Sequence, residues 1–98
     1  MNMQAMLKQA QALQKDMLKI KGELDNTDFY GESSLVKVTV KGTKEVVKVE
    51  IDAKDGLDSD DIEMLEDMIV LAINDANKKI DAMTEKKMGK FGNIPGLF

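Results

Sequence analysis

Apolar residues recur at Met3, Met6, Ala10, Leu13, Met17, Ile20 and Leu24, alternately three and four positions apart. This is a heptad seam held for three heptads, and only an α-helix brings such positions onto one side. Gln4, Gln9, Gln11, Gln14 and lysines fill the other faces, and all are good helix formers. A first helix over residues 3–24 follows, with Gly22 weakening its last turn and Asp25-Asn26 stopping it. A seam of this length can pack on the chain's own core or on a second subunit, and both readings stand.

The period then changes to two. Thr27 to Ser34 predicts a short strand ending in a Gly-Glu-Ser-Ser turn. Val36, Val38 and Val40 alternate with Lys37, Thr39 and Lys41, and Val47, Val49 and Ile51 alternate with Lys48, Glu50 and Asp52. That pattern is an antiparallel hairpin with one apolar face. A four-residue loop, Gly42 to Glu45, pairs Val40 with Val47, Val38 with Val49, Val36 with Ile51 and Lys37 with Glu50. A two-residue loop would oppose Lys37 to Lys48, and a three-residue loop would put Val36 across from Glu50. Opposite charges gain and like charges cost about 0.2–1 kcal/mol per facing pair, so the four-residue loop is expected.

After an acidic loop, Ser59-Asp60-Asp61 starts a second helix reaching about Lys87, with Asp60 as N-cap and Glu63 three residues on. One apolar stripe runs Ile62, Leu65, Ile69, Ala72, Ile73, Ala76, Ile80, Met83. Met64, Met68 and Leu71 lie to one side of it, so the middle of this helix is apolar around much of its circumference. Either a broad core stripe in a monomer or a sheet on one side and a partner subunit on the other would cover it. The second is favoured, which makes Met64, Met68 and Leu71 the candidate dimer interface. A helix of that length is about 43 Å long. A compact chain of this size is about 33 Å across, so the C-terminal turns should overhang the core. Residues 1–88 read as a single domain and residues 89–98, with Gly89, Gly92, Pro95 and Gly96, as a flexible tail.

Charge falls in three blocks: residues 1–22 carry a net +3, residues 23–77 a net −10 and residues 78–98 a net +3. Two basic ends thus flank an acidic middle, and such blocks often mark interaction surfaces. All fourteen basic residues are Lys, which meets phosphate as a point charge and lacks the arginine fork that reads guanine edges. On the first helix Lys8, Lys15 and Lys19 share a face, and on the second Lys78, Lys79, Lys86 and Lys87 line the expected overhang. Ordinary solubilising lysines would look the same in isolation.

Other chemistries find little support. With neither Cys nor His there is no disulfide framework, thiolate site or Ser-His-acid triad. Aligning Gly56 as the sixth position of a calcium loop places Ile51 and Ala53 where carboxylates are required, so a capping acidic loop is expected and no metal site. Glu66 and Asp67 point about 100° apart on a helix, and Gly42-Thr43-Lys44 lacks the glycine spacing of a phosphate loop. No catalytic residue, cofactor or small-molecule substrate is expected. The longest apolar run, Met68 to Ile73, is too short to span a bilayer, no signal-peptide core is apparent, and a cytoplasmic location is the expectation.

The run Glu63-Met64-Leu65-Glu66-Asp67-Met68, continued by Asn74-Asp75-Ala76, resembles the signature of the YbaB/EbfC family of small bacterial nucleoid-associated proteins. Met6-Leu7-Lys8-Gln9-Ala10-Gln11, Gly31-Glu32-Ser33, Leu35 to Val40, Val49-Glu50-Ile51-Asp52 and Asn93 to Phe98 are similar in the same order, so the resemblance covers nearly the whole chain. It implies an α+β subunit of order α-β-β-β-α, with a small antiparallel sheet and two long helices. It further implies a tweezer-like homodimer that binds DNA in the nucleoid with little sequence preference. On that reading Lys8, Lys15, Lys19, Lys78, Lys79, Lys86 and Lys87 are the DNA-binding residues, neutralising phosphates. The alternative is a protein-interaction adaptor, with the heptad seam and Met64, Met68 and Met83 as its docking surface.

Overall fold

A computed structural model describes residues 2–89; the expected tail, apart from Gly89, lies outside the described residues. Helix α1 spans Met3–Asp25, capped by the Asn2 side chain, whose Oδ1 accepts from the Gln4 N–H at 3.0 Å. Strands β1 (Asp28–Ser33), β2 (Val36–Lys41) and β3 (Val46–Ile51) follow, then helix α2 (Ile62–Met88). The order is α-β-β-β-α, and the strands form one antiparallel sheet in the order β1-β2-β3.

Two turns differ from the sequence expectation, each for a local reason. Gly31, Glu32 and Ser33 belong to β1, and the turn is the dipeptide Ser34-Leu35, since Ser33 pairs with Val36 and Ser34 takes a φ of +50°. Gly31 serves close approach instead: a Cβ there would overlap the carbonyl oxygen of Ala72 and sit 2.7 Å from the Ala76 nitrogen. The second hairpin closes one residue earlier than expected. The Lys41 N–H donates to Glu45 O at 2.9 Å and the Lys44 N–H to Lys41 O at 2.7 Å, leaving a three-residue loop, 42–44. Lys44 stands at φ +74°, the left-handed residue that completes such a loop. A register shift beyond the loop, with Val40 facing Val46, then restores the expected pairs Val38–Val49, Lys37–Glu50 and Val36–Ile51. The bulge absorbs the odd residue, so short loop and apolar face coexist.

The start of α2 also moves. A 3-10 turn over Ser59–Asp61 precedes it, and Asp61, not Asp60, is the cap residue; its carboxylate accepts from the Asp58 N–H at 2.9 Å.

Helix α2 crosses β1 and β2 and buries the core against them: Phe29, Val36, Val38, Val40, Ala72, Ala76 and Ile80, with Leu24 from α1. Alanines 72 and 76 stand where helix and strand approach most closely, which fits the Gly31 contact. α1 is anchored at its C-terminal end, where the Gly42 N–H donates to Thr27 O and a Cβ on Gly42 would strike the Leu24 carbonyl. Strand β3 is not covered: Val49 and Ile51 face the same way as Val38 and Val36, yet each remains 42% exposed. Leu13, Met17 and Ile20 pack along the core, and N-terminal to them α1 runs free, with residues 2–12 all exposed. The Cα radius of gyration is 19.6 Å and the longest extent 71 Å, against about 13 Å for the radius of a compact domain this size. The overhang expected of α2 is therefore supplied mainly by α1. The last turns of α2 lie beside it, with Met88 buried and Met17 and Met88 lining one cleft.

Candidate nucleic-acid interface

The seven candidate lysines are all exposed. Lys8, Lys15 and Lys19 each stand two positions from a seam residue, about 200° round the helix, and so on the face away from the core. Helices α1 and α2 run antiparallel where they meet. Leu24 and Ile80 lie near the Gly42–Lys44 turn, and Met17 and Met88 lie farther out. Lys15, Lys19, Lys86 and Lys87 consequently share one level of the arm. Lys8 lies beyond the end of α2, and Lys78 and Lys79 stand at the arm's base. The arm is thus basic along its length, while the sheet and the loop before α2 carry nine of the eighteen acids.

The lysines are not equally free. Lys79 Nζ donates to the Tyr30 carbonyl oxygen at 2.7 Å and pairs with Asp75 at 3.4 Å, tying α2 to the outer strand. Among the described residues, Lys8, Lys15, Lys19, Lys78, Lys86 and Lys87 make no ion pair within 4.0 Å. Lys21 pairs with Asp25, and Lys44 with Asp81 of α2 at 2.9 Å. These ties span up to 49 residues of sequence, and no local pattern foretells them.

Asp75 sits at the centre of the β1 contact. Its carboxylate accepts the Glu32 N–H at 3.1 Å, and that bond, with Lys79 and Lys78 nearby, holds its pKa below the usual value of 3.8. A depressed carboxylate pKa adds stability that is present above 3.8 and lost as pH falls through the folded value. Thermal melts should therefore show wild type above Asp75→Asn at neutral pH and the gap closing in acid. A gap that stayed constant down to pH ~2 would contradict the linkage.

Met64, Met68 and Leu71 lie eleven, seven and four positions before Asp75, hence on the flank of α2 that overlooks β1. Met64 and Leu71 are exposed, whereas Met68 is partly buried against the core. The opposite flank, marked by the Asp81–Lys44 pair, faces β3 and carries the exposed Val70. Among the described residues, no group of three or more acidic side chains gathers to hold a metal ion, and no helix is long and apolar enough to cross a membrane.

The fold and the sequence both have known counterparts. An uncharacterized protein of Helicobacter pylori, solved by crystallography, superposes with a TM-score of 0.75 over 95% of this chain and 99% of its own, at 18% identity, and so shares the fold. A nucleoid-associated protein of Ligilactobacillus salivarius is 46% identical over 99% of this chain and 95% of its own length. One from Streptococcus thermophilus is 49% identical over 97% and 98%. Residues 1–94 match the YbaB/EbfC DNA-binding family, and with an arm of free lysines on the α-β-β-β-α frame the chain belongs to that family.

Proposed function

We propose that this protein is a homodimeric nucleoid-associated protein of the cytoplasm. Its basic arms hold the DNA backbone with little regard to sequence, organising the nucleoid or regulating genes. The observation that carries the reading is the arm: an extension of the fold along which six lysines are free of ion pairs among the described residues, on a chain whose net charge is −4. An acidic body repels phosphate, so contact is confined to Lys8, Lys15, Lys19, Lys78, Lys86 and Lys87, with Lys79 adding its charge from the base. Lysine without arginine favours phosphate contact over base readout. No catalytic role, cofactor or small-molecule substrate enters. Electrophoretic mobility shifts on unrelated duplexes at low and physiological salt test it. Binding should be similar across sequences and fall steeply with salt, and no shift even at low salt would refute it.

Dimerisation is part of the same proposal. The α2 flank of Met64, Met68 and Leu71 is the interface we favour, since two large apolar side chains stand exposed there on a rigid helix. The uncovered β3 residues are another exposed apolar surface. Sedimentation should show a dimer that Met64→Glu with Leu71→Glu converts to monomer. If Val49→Lys dissociates it and the helix pair does not, the dimer is built on β3. The apolar exposure also suits a protein-docking adaptor, and a folded dimer without DNA affinity would favour that reading.

A further inference from the structure

Lys8 is the only charged side chain from Asn2 to Gln14. It stands on the face of α1 away from the seam, so the seam side of this half of the helix carries no charge. Met3, Met6, Leu7 and Ala10 line a shallow apolar groove there, with Met3 76% and Leu7 59% exposed. Among the described residues, α2 flanks the seam only as far as the Met17–Met88 level, where it ends.

We propose that this charge-free face meets the same face of a second copy, the two α1 tips lying antiparallel, and that copies bound side by side on DNA join in this way.

A face without charge gives an acidic or basic partner no counter-ion, yet it matches itself without repulsion. Heptad spacing supplies the register. In an antiparallel pair the positions of Met3 and Ala10 on one helix meet those of Met6 and Leu13 on the other. Met6 then faces Ala10, a long side chain over a small one, and Met3 faces Leu13. Direction follows from shape: each body stands at the C-terminal end of its arm, so only tips that pass each other keep the bodies apart. Lys8 and Lys15 stay on the outer sides of the pair. With axes about 9 Å apart and helix radii of about 5 Å, the lysines of the two copies are about 20 Å apart. That exceeds the screening length of about 8 Å at physiological salt, and the basic face remains open to phosphate.

Magnitude decides when the pair forms. Five apolar side chains from each copy bury far less than the ~1,200 Å² of a stable interface, so the tips part in dilute solution. Neighbours held on one duplex meet at an effective concentration in the millimolar range. The inference rests on the proposed DNA binding for this setting, while the contact itself depends only on α1.

The chain has no Cys, so single reporters can be placed in the full-length protein. Met6→Cys and Ala10→Cys chains, one carrying a mass tag, are mixed and mildly oxidised. The mixed bond should outnumber bonds between like chains several-fold on DNA, and also at high protein concentration without it. No excess of the mixed bond in either condition would overturn the pairing. A yield without DNA that ignored protein concentration would put the pair inside one dimer and overturn the joining of neighbours. Met6→Gln with Leu7→Gln keeps both charge and helix propensity. Wild type should fill a long duplex all-or-none and this variant stepwise, with a midpoint about tenfold higher. Both should bind a duplex one site long equally, and identical filling of the long duplex by both would overturn the proposal. Should wild type bind no duplex at all, the DNA reading fails, and the mixed bond at high protein concentration alone upholds or overturns the pairing.

Discussion

Gly31→Ala is expected to destabilise the fold by about 3 kcal/mol or more, at the upper end of overpacking costs. The added methyl would overlap the Ala72 carbonyl oxygen and press on the Ala76 nitrogen, and both are backbone atoms of α2. A flexible side chain could swing away; a helix backbone can yield only if α2 lifts from β1. Lifting it would open the core at Phe29, Val36, Val38 and Ile80 and stretch the Asp75–Glu32 and Lys79–Tyr30 bonds. Gly22→Ala is the matched control. A Cβ at Gly22 meets nothing within 4 Å, and alanine in a helix gains about 0.5–1 kcal/mol over glycine. Urea denaturation should therefore move the midpoint down for Gly31→Ala and slightly up for Gly22→Ala. Equal midpoints for Gly31→Ala and wild type would show that the strand–helix spacing relaxes at no cost.

The second large effect concerns DNA. Lys86→Glu with Lys87→Glu should lower affinity about tenfold or more, uniformly across sequences, since these residues would meet phosphate and not base edges. Each phosphate contact contributes about 0.9 to the slope of log affinity against log salt. Losing two contacts should thus flatten the slope by about 1.8 for each arm engaged. Both lysines are exposed on the last turn of α2 and are among those without an ion pair, so folding should be unaffected. Lys79→Glu is the instructive contrast. It would break the tie to Tyr30 and Asp75, and so should lower the melting temperature as well as the affinity. An unchanged slope in the Lys86, Lys87 variant would remove the arm from the interface.

Both helices and the hairpin were legible because each rests on short-range periodicity: Met3 to Leu24 at three and four, Val36 to Ile51 at two. Their observed limits, Met3–Asp25 and Ile62–Met88, lie within a few residues of the expected ones. The pairing Val38–Val49 was legible as well, because a one-residue slip would turn the apolar face outward. Turn geometry was not. Cross-strand charge pairing selects a four-residue loop only where both strands are regular, whereas Lys44 in the left-handed region and a bulge at Val40–Val46 reach the same pairs with a shorter loop. Gly31 likewise read as a turn residue, because the helix that requires its missing side chain is more than forty residues away.

Sequence alone determined the element types, the apolar faces, the acidic middle between basic ends and the family signature, since all of these are written in neighbouring residues. Only the tertiary structure decided how those pieces are used. It laid α2 across β1 and β2 and left β3 bare, spent Lys79 on a strand carbonyl, and carried α1 past the end of α2 as a free basic arm. The physical reason is range. Periodicity records which face of an element must leave water, but which partner covers it depends on contacts between residues distant in the chain, at distances of a few ångströms that local spacing does not encode.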